Sequence, residues 1–75
     1  MEGENMERRF SIPIKRIVDI WNVLREKKAA TLSEIRFHLG FKYRVEEVTT
    51  VLRLLSEMGL IERLGRLWRV KMYVT

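Results

Sequence analysis

Apolar residues recur at helical spacing in three stretches of the chain and alternate with charged ones in a fourth. The first stretch predicts a helix opening at Ser11 or Ile12, with Pro13 in its first turn, where a missing N–H costs nothing. Ile14, Ile17, Val18, Trp21 and Leu24 then share one face, the pattern of a core stripe. Ile12, Ile20 and Val23 fall off that stripe, interleaved with Arg16 and Asp19. This second apolar strip reads equally as incidental surface hydrophobics or as a homodimer contact through the helix.

In the second stretch, Thr31-Leu32-Ser33-Glu34 has capping-box spacing, a hydroxyl at the N-cap and a glutamate three residues on. Ile35 and Leu39, with Leu32 or Phe37 assisting, form a short buried stripe, and Gly40 can take the left-handed conformation that ends the helix. The third stretch predicts a helix from about Arg44 to Met58. Val45, Val48, Leu52 and Leu55 point inward there, with Val51 and Met58 beside them. Gly59 followed by Leu60 reads as a Schellman stop, with Leu60 packing back on Leu55. Leu54 sits off the core face, a second candidate for a subunit contact.

The fourth stretch is a hairpin. Gly65-Arg66 supplies a two-residue turn with glycine first, as a type II′ turn requires. Counting outward pairs Leu64 with Leu67, Arg63 with Trp68, Glu62 with Arg69 and Ile61 with Val70. Ile61, Trp68 and Val70 then face the core, continuing to Met72 and Val74, and Arg63 can lie across the Trp68 ring. Glu62, Arg69 and Lys71 occupy the solvent face. Ala29-Ala30-Thr31 can add a short third strand at the hairpin's edge. The fold class is therefore α+β, three helices with a C-terminal β-hairpin. Residues 1–10 read as a flexible N-terminal tail and 11–75 as one domain.

Composition narrows the function classes. There is no cysteine, so neither disulfides nor thiolate metal sites are available, which fits a cytoplasmic protein. No apolar run approaches a membrane span and no signal-peptide pattern opens the chain. Two asparagines, no glutamine and one third charged residues match the composition that hot environments favour. The net charge of +5 points to a polyanionic partner. Its distribution says more. Residues 1–30 carry +2 and residues 31–60 balance at 0, whereas Arg63, Arg66, Arg69 and Lys71 against Glu62 make the hairpin +3.

Enzymatic chemistry has little to stand on. His38 is the single histidine, with no second histidine or cysteine to complete a metal site. There is no glycine-rich phosphate loop and no serine beside a base in any nucleophile pattern. No cofactor or small-molecule ligand is indicated.

Thr31-Leu32-Ser33-Glu34-Ile35 with Leu39-Gly40, followed by Leu52-x-x-Leu55-x-x-Met58-Gly59-Leu60-Ile61-Glu62-Arg63, resembles the winged helix-turn-helix family over about residues 12–74. It is similar to small transcription regulators of archaea and of their viruses or plasmids, which would place it in the cytoplasm, a host's if viral. The turn from Gly40 to Val45 is longer than the commonest form of the family, and the wing is short. The resemblance implies sequence-specific binding of double-stranded DNA, by a homodimer, with the helix near 44–58 in the major groove. On that helix Glu46, Thr49, Thr50 and Arg53 point outward, suited to base edges or phosphates. Lys42, Tyr43 and Arg44 at the helix mouth suit backbone clamping, and Arg63, Arg66 and Arg69 suit the wing's phosphate or minor-groove contacts. The dimer contact falls to Ile12, Ile20, Val23 and Leu54. Glu46, Glu47 and Glu57 repel phosphate, and they keep open the rival expectation of a winged-helix adaptor binding protein rather than DNA. A third reading, RNA or single strands, lacks an exposed aromatic series, since beyond the two core tryptophans only Tyr43, Tyr73 and Phe41 remain.

Overall fold

A computed structural model describes residues 13–71; the expected tail at 1–10, the helix start at Ser11 or Ile12, and Met72 and Val74 lie outside the described residues. The chain runs α1 (Ile14–Lys27), β1 (Ala29–Thr31), α2 (Leu32–His38), α3 (Val45–Glu57), β2 (Ile61–Leu64) and β3 (Leu67–Val70). The strands form one antiparallel sheet in the order β1-β3-β2. The architecture is α+β, and among the described residues no helix is long and apolar enough to cross a membrane.

Pro13 caps α1 instead of occupying its first turn. Its ψ of 130° is extended, and its carbonyl accepts from the Arg16 N–H at 2.9 Å. The larger correction concerns which face of α1 is buried. Ile20 and Leu24 are fully buried, with Ile17, Trp21 and Val23 packed against them, whereas Ile14 is 76% and Val18 44% exposed. The inward face is thus turned about a quarter-turn from the expected stripe. The cause is polar. Arg16 pairs with Glu47 of α3, and Asp19 accepts a 2.7 Å hydrogen bond from the Tyr43 hydroxyl. These two residues look outward in the sequence, yet both have partners on the body of the protein. That draws their side of α1, and Ile20 and Val23 with it, inward.

Helix α2 begins with the expected capping box. The Thr31 N–H donates to Glu34 Oε1 at 2.8 Å, and the Glu34 N–H to Thr31 Oγ1 at 3.2 Å. It ends in a Schellman motif, with Gly40 N–H to the Phe37 carbonyl at 3.0 Å and Phe41 N–H to the Arg36 carbonyl at 2.9 Å. Ile35 is buried, and Leu32 and Leu39 pack beside it, but Phe37 points to solvent.

Helix α3 buries Val48, Val51, Leu52 and Leu55. Val45 and Met58 are exposed, against expectation. Tyr43 closes the core at the first turn in place of Val45. Met58 already lies past the last helical residue, and the chain reverses there so that Leu60 packs inward instead. The reversal is a second Schellman motif, with Gly59 at φ 81°, its N–H on the Ser56 carbonyl and the Leu60 N–H on the Leu55 carbonyl, both at 3.0 Å.

The hairpin has the expected register, Ile61↔Val70 through Leu64↔Leu67. Gly65 has φ 64° while Arg66 keeps an ordinary negative φ, as a type II′ turn needs. β1 adds to the free edge of β3, with the small Ala30 opposite Trp68 and fully buried.

Candidate nucleic-acid interface

Three elements meet around a groove of about 280 Å³ on one side of the molecule. Thr31 and Ser33 come from the start of α2, Thr49 from α3, and Arg63, Arg66 and Trp68 from the hairpin. Register explains the hairpin's share. Arg63 lies opposite Trp68 on the core-facing side of the strands, so its stem follows the indole, with the guanidinium 5.5 Å from the ring centroid. Its Nε–H donates to the Gly65 carbonyl at 2.9 Å, which fixes the plane of the group and leaves its terminal N–H groups available. Arg66 sits in the turn itself and is exposed. Two arginines and three hydroxyl residues thus line the groove, donors of the kind that suit an anion.

The other expected contact residues divide. On α3, Glu46, Thr50 and Arg53 are exposed and point away from the core, whereas Thr49 turns toward the groove. The Thr50 hydroxyl donates to the Glu46 carbonyl at 2.7 Å, so it offers a ligand its lone pairs and methyl and not its proton. Glu57 shares this outward face, which therefore carries two carboxylates against the one Arg53 charge. Arg69 does not join the groove. It lies on the opposite face of the hairpin and is engaged by Glu62 across the strands.

The helix mouth also splits. Arg44 is exposed, and its N–H donates to Glu47 Oε1 at 2.9 Å. Tyr43 is only 9% exposed and cannot clamp a backbone. Its ring lies 5.2 Å from both the Arg16 guanidinium and the Lys42 ammonium. Lys42 Nζ and Lys15 Nζ lie 3.5 and 3.6 Å from Asp19 Oδ2. The Tyr43 hydrogen bond, with help from these two charges, holds the Asp19 carboxyl below its ordinary value, and the same bond raises the Tyr43 hydroxyl. This polar cluster joins α1, the α2–α3 turn and α3. Of its contacts only the Lys15–Asp19 pair, one helical turn apart, could be read from spacing.

One residue of the expected subunit contact, Ile20, is corrected as well. Ile20 belongs to the protomer's own core, and Val23 and Leu54 are half-buried, with Val23 packed on that core; Ile12 lies outside the described residues. Among the described residues no three His, Cys, Asp or Glu side chains gather where they could hold a metal ion. Comparison of the chain with protein-family models, with curated proteins and with solved structures found no match.

Proposed function

We propose that the protein is a winged helix-turn-helix, sequence-specific double-stranded DNA-binding protein acting as a transcriptional regulator. The observation that carries this reading is the groove where α2, α3 and the hairpin meet, with Arg63, Arg66, Thr31, Ser33 and Thr49 around one open space. A duplex strand crossing it brings the outward face of α3 to the major groove and Arg66 to the flanking backbone. Affinity then comes from the hairpin arginines. Sequence preference falls to Thr50 and Arg53, with Glu46 able to accept from a cytosine amino group.

The reading includes a homodimer, because a protomer this small spans few base pairs. A two-fold partner cannot reach Ile20, and the apolar side chains that α1 leaves exposed are Ile14 and Val18.

One observation favours a second reading, an adaptor module that binds protein. The outward face of α3 is net negative, with Glu46 and Glu57 against Arg53, and repels a phosphate backbone.

Titration of a randomised duplex library at two salt concentrations tests the choice. Arg63→Ala and Arg66→Ala should weaken binding to all sequences alike and each lower the salt slope by about one. Thr50→Ala and Arg53→Ala should change which sequences are preferred. Failure to bind any duplex at low salt would overturn the DNA reading in favour of the adaptor. Binding with no preference would reduce it to non-specific coating.

A further inference from the structure

Away from the groove, the C-terminal end of α2 and the last turn of α1 enclose a second depression of about 590 Å³. Its floor is aromatic. Phe37 is 69% and Phe41 58% exposed, with ring centroids 6.2 Å apart and planes at 80°. His38 stands edge-to-face against Phe37, also at 6.2 Å. Lys27 and Arg36 also line it, with one acid, Glu34, and the Arg36 guanidinium lies 5.5 Å from the Phe41 ring. Arg36 Nε is buried and has no acceptor among the described residues. The acid nearby, Glu34, already accepts from the Thr31 N–H in the capping box.

Phe41 gives the patch its meaning. It is a bulky residue at φ 58°, in the left-handed region that favours glycine or asparagine. Phe41 follows Gly40 in the Schellman turn, where an apolar side chain commonly packs back on the last helical turn, and its ring lies against Arg36 and Phe37 while staying more than half exposed. The phenylalanine bears a backbone cost and gains little burial. What it adds is apolar surface beside Phe37.

We propose that the Phe37–Phe41 depression docks an acidic, apolar segment of a partner protein. An aliphatic or aromatic side chain of the partner seats against the two rings, and its carboxylates pair with Arg36 and Lys27. A second copy meeting the depression with its own would set Lys27 and Arg36 against their like, so the occupant is not the same patch of a twin chain. The backbone of a DNA duplex offers phosphates to Lys27 and Arg36 but nothing apolar to the rings.

The test uses three labelled synthetic peptides and a thymidine oligonucleotide, with no duplex, so its failure is separable from failure of the DNA reading. One peptide alternates aspartate or glutamate with leucine and phenylalanine, one replaces the acids by asparagine and glutamine, and one replaces the apolar residues by serine. Only the first should bind measurably, more weakly at higher salt, with NMR shift changes centred on Lys27, Arg36, Phe37 and Phe41. Phe37→Gln with Phe41→Asn should weaken it by on the order of tenfold or more. Phe41→Asn alone should raise the melting temperature while weakening the peptide, which separates binding from folding. No binding of the first peptide would overturn the proposal, as would equal binding of the serine peptide. Displacement of the peptide by the oligonucleotide, with the oligonucleotide's binding lost in the double variant, would overturn it in favour of base stacking.

Discussion

Tyr43 joins the core to the polar cluster. Its ring closes the core, cations lie near it on α1 and in the turn, and its hydroxyl donates to Asp19. Because Asp19 binds its proton less readily folded than unfolded, its contribution is complete above its ordinary value of 3.8 and is lost as pH falls through its lowered folded value. For Tyr43 the sign is opposite. Its contribution is complete below its ordinary 10.0 and disappears as pH rises through its raised value. Tyr43→Phe should therefore lower the melting temperature at neutral pH, with a deficit that shrinks at both acid and alkaline extremes. Circular-dichroism melts across pH check this, and a deficit independent of pH would show that the hydrogen bond contributes nothing. A second residue-scale comparison fixes the face of α1. Ile20→Ala should cost about 2–5 kcal/mol in urea denaturation, whereas Val18→Ala should stay within about 0.5 kcal/mol. Equal losses would contradict the packing described for α1.

At the scale of elements, the most legible features were those written in local chemistry. Thr31 and Glu34 announce α2, Gly59 ends α3, and Gly65 sets the hairpin register, because a cap or a two-residue turn is decided within a few residues. The rotation of α1 was not legible. Its apolar residues spread over more of the helix than the core can cover, and the choice among them rests on Arg16 meeting Glu47 and Asp19 meeting Tyr43. Those partners are 31 and 24 residues distant in the chain. The candidate site shows the same division. Arg63 beside Trp68 follows from the register, while the burial of Tyr43 and the diversion of Arg69 to Glu62 depend on what each meets in three dimensions. Local features can be tested locally. Thr31→Ala should cost about 1 kcal/mol through loss of the α2 cap. Gly59→Ala should cost on the order of 1 kcal/mol through its left-handed backbone, although nothing lies within 4 Å of the added methyl. A neutral Gly59→Ala in urea denaturation would mean that the turn after α3 relaxes.

For the whole molecule, two differently built surfaces flank α2, each with cations beside aromatic rings. The guanidiniums of Arg63 and Arg66 open on the groove toward α3, and the Phe37–Phe41 rings open beside the end of α1. Ser33 lines both spaces, so the two candidate surfaces are neighbours along a single short helix. If both proposals hold, a duplex and a partner peptide can be bound together, and Arg66→Ala should leave peptide affinity unchanged while the Phe37→Gln, Phe41→Asn double variant leaves duplex affinity unchanged. Titrating each ligand against both variants checks this independence.

The sheet order β1-β3-β2 has a bearing on how the molecule is made. The strand that stands in the middle is the last of the three described strands, and both outer strands pair with it. A chain leaving the ribosome therefore holds Ala29–Thr31 and Ile61–Leu64 as unpaired edges until Leu67–Val70 emerges. The groove lined by Arg63 and Trp68 cannot form before that moment, so anion binding there must wait on the docking of the last-formed strand.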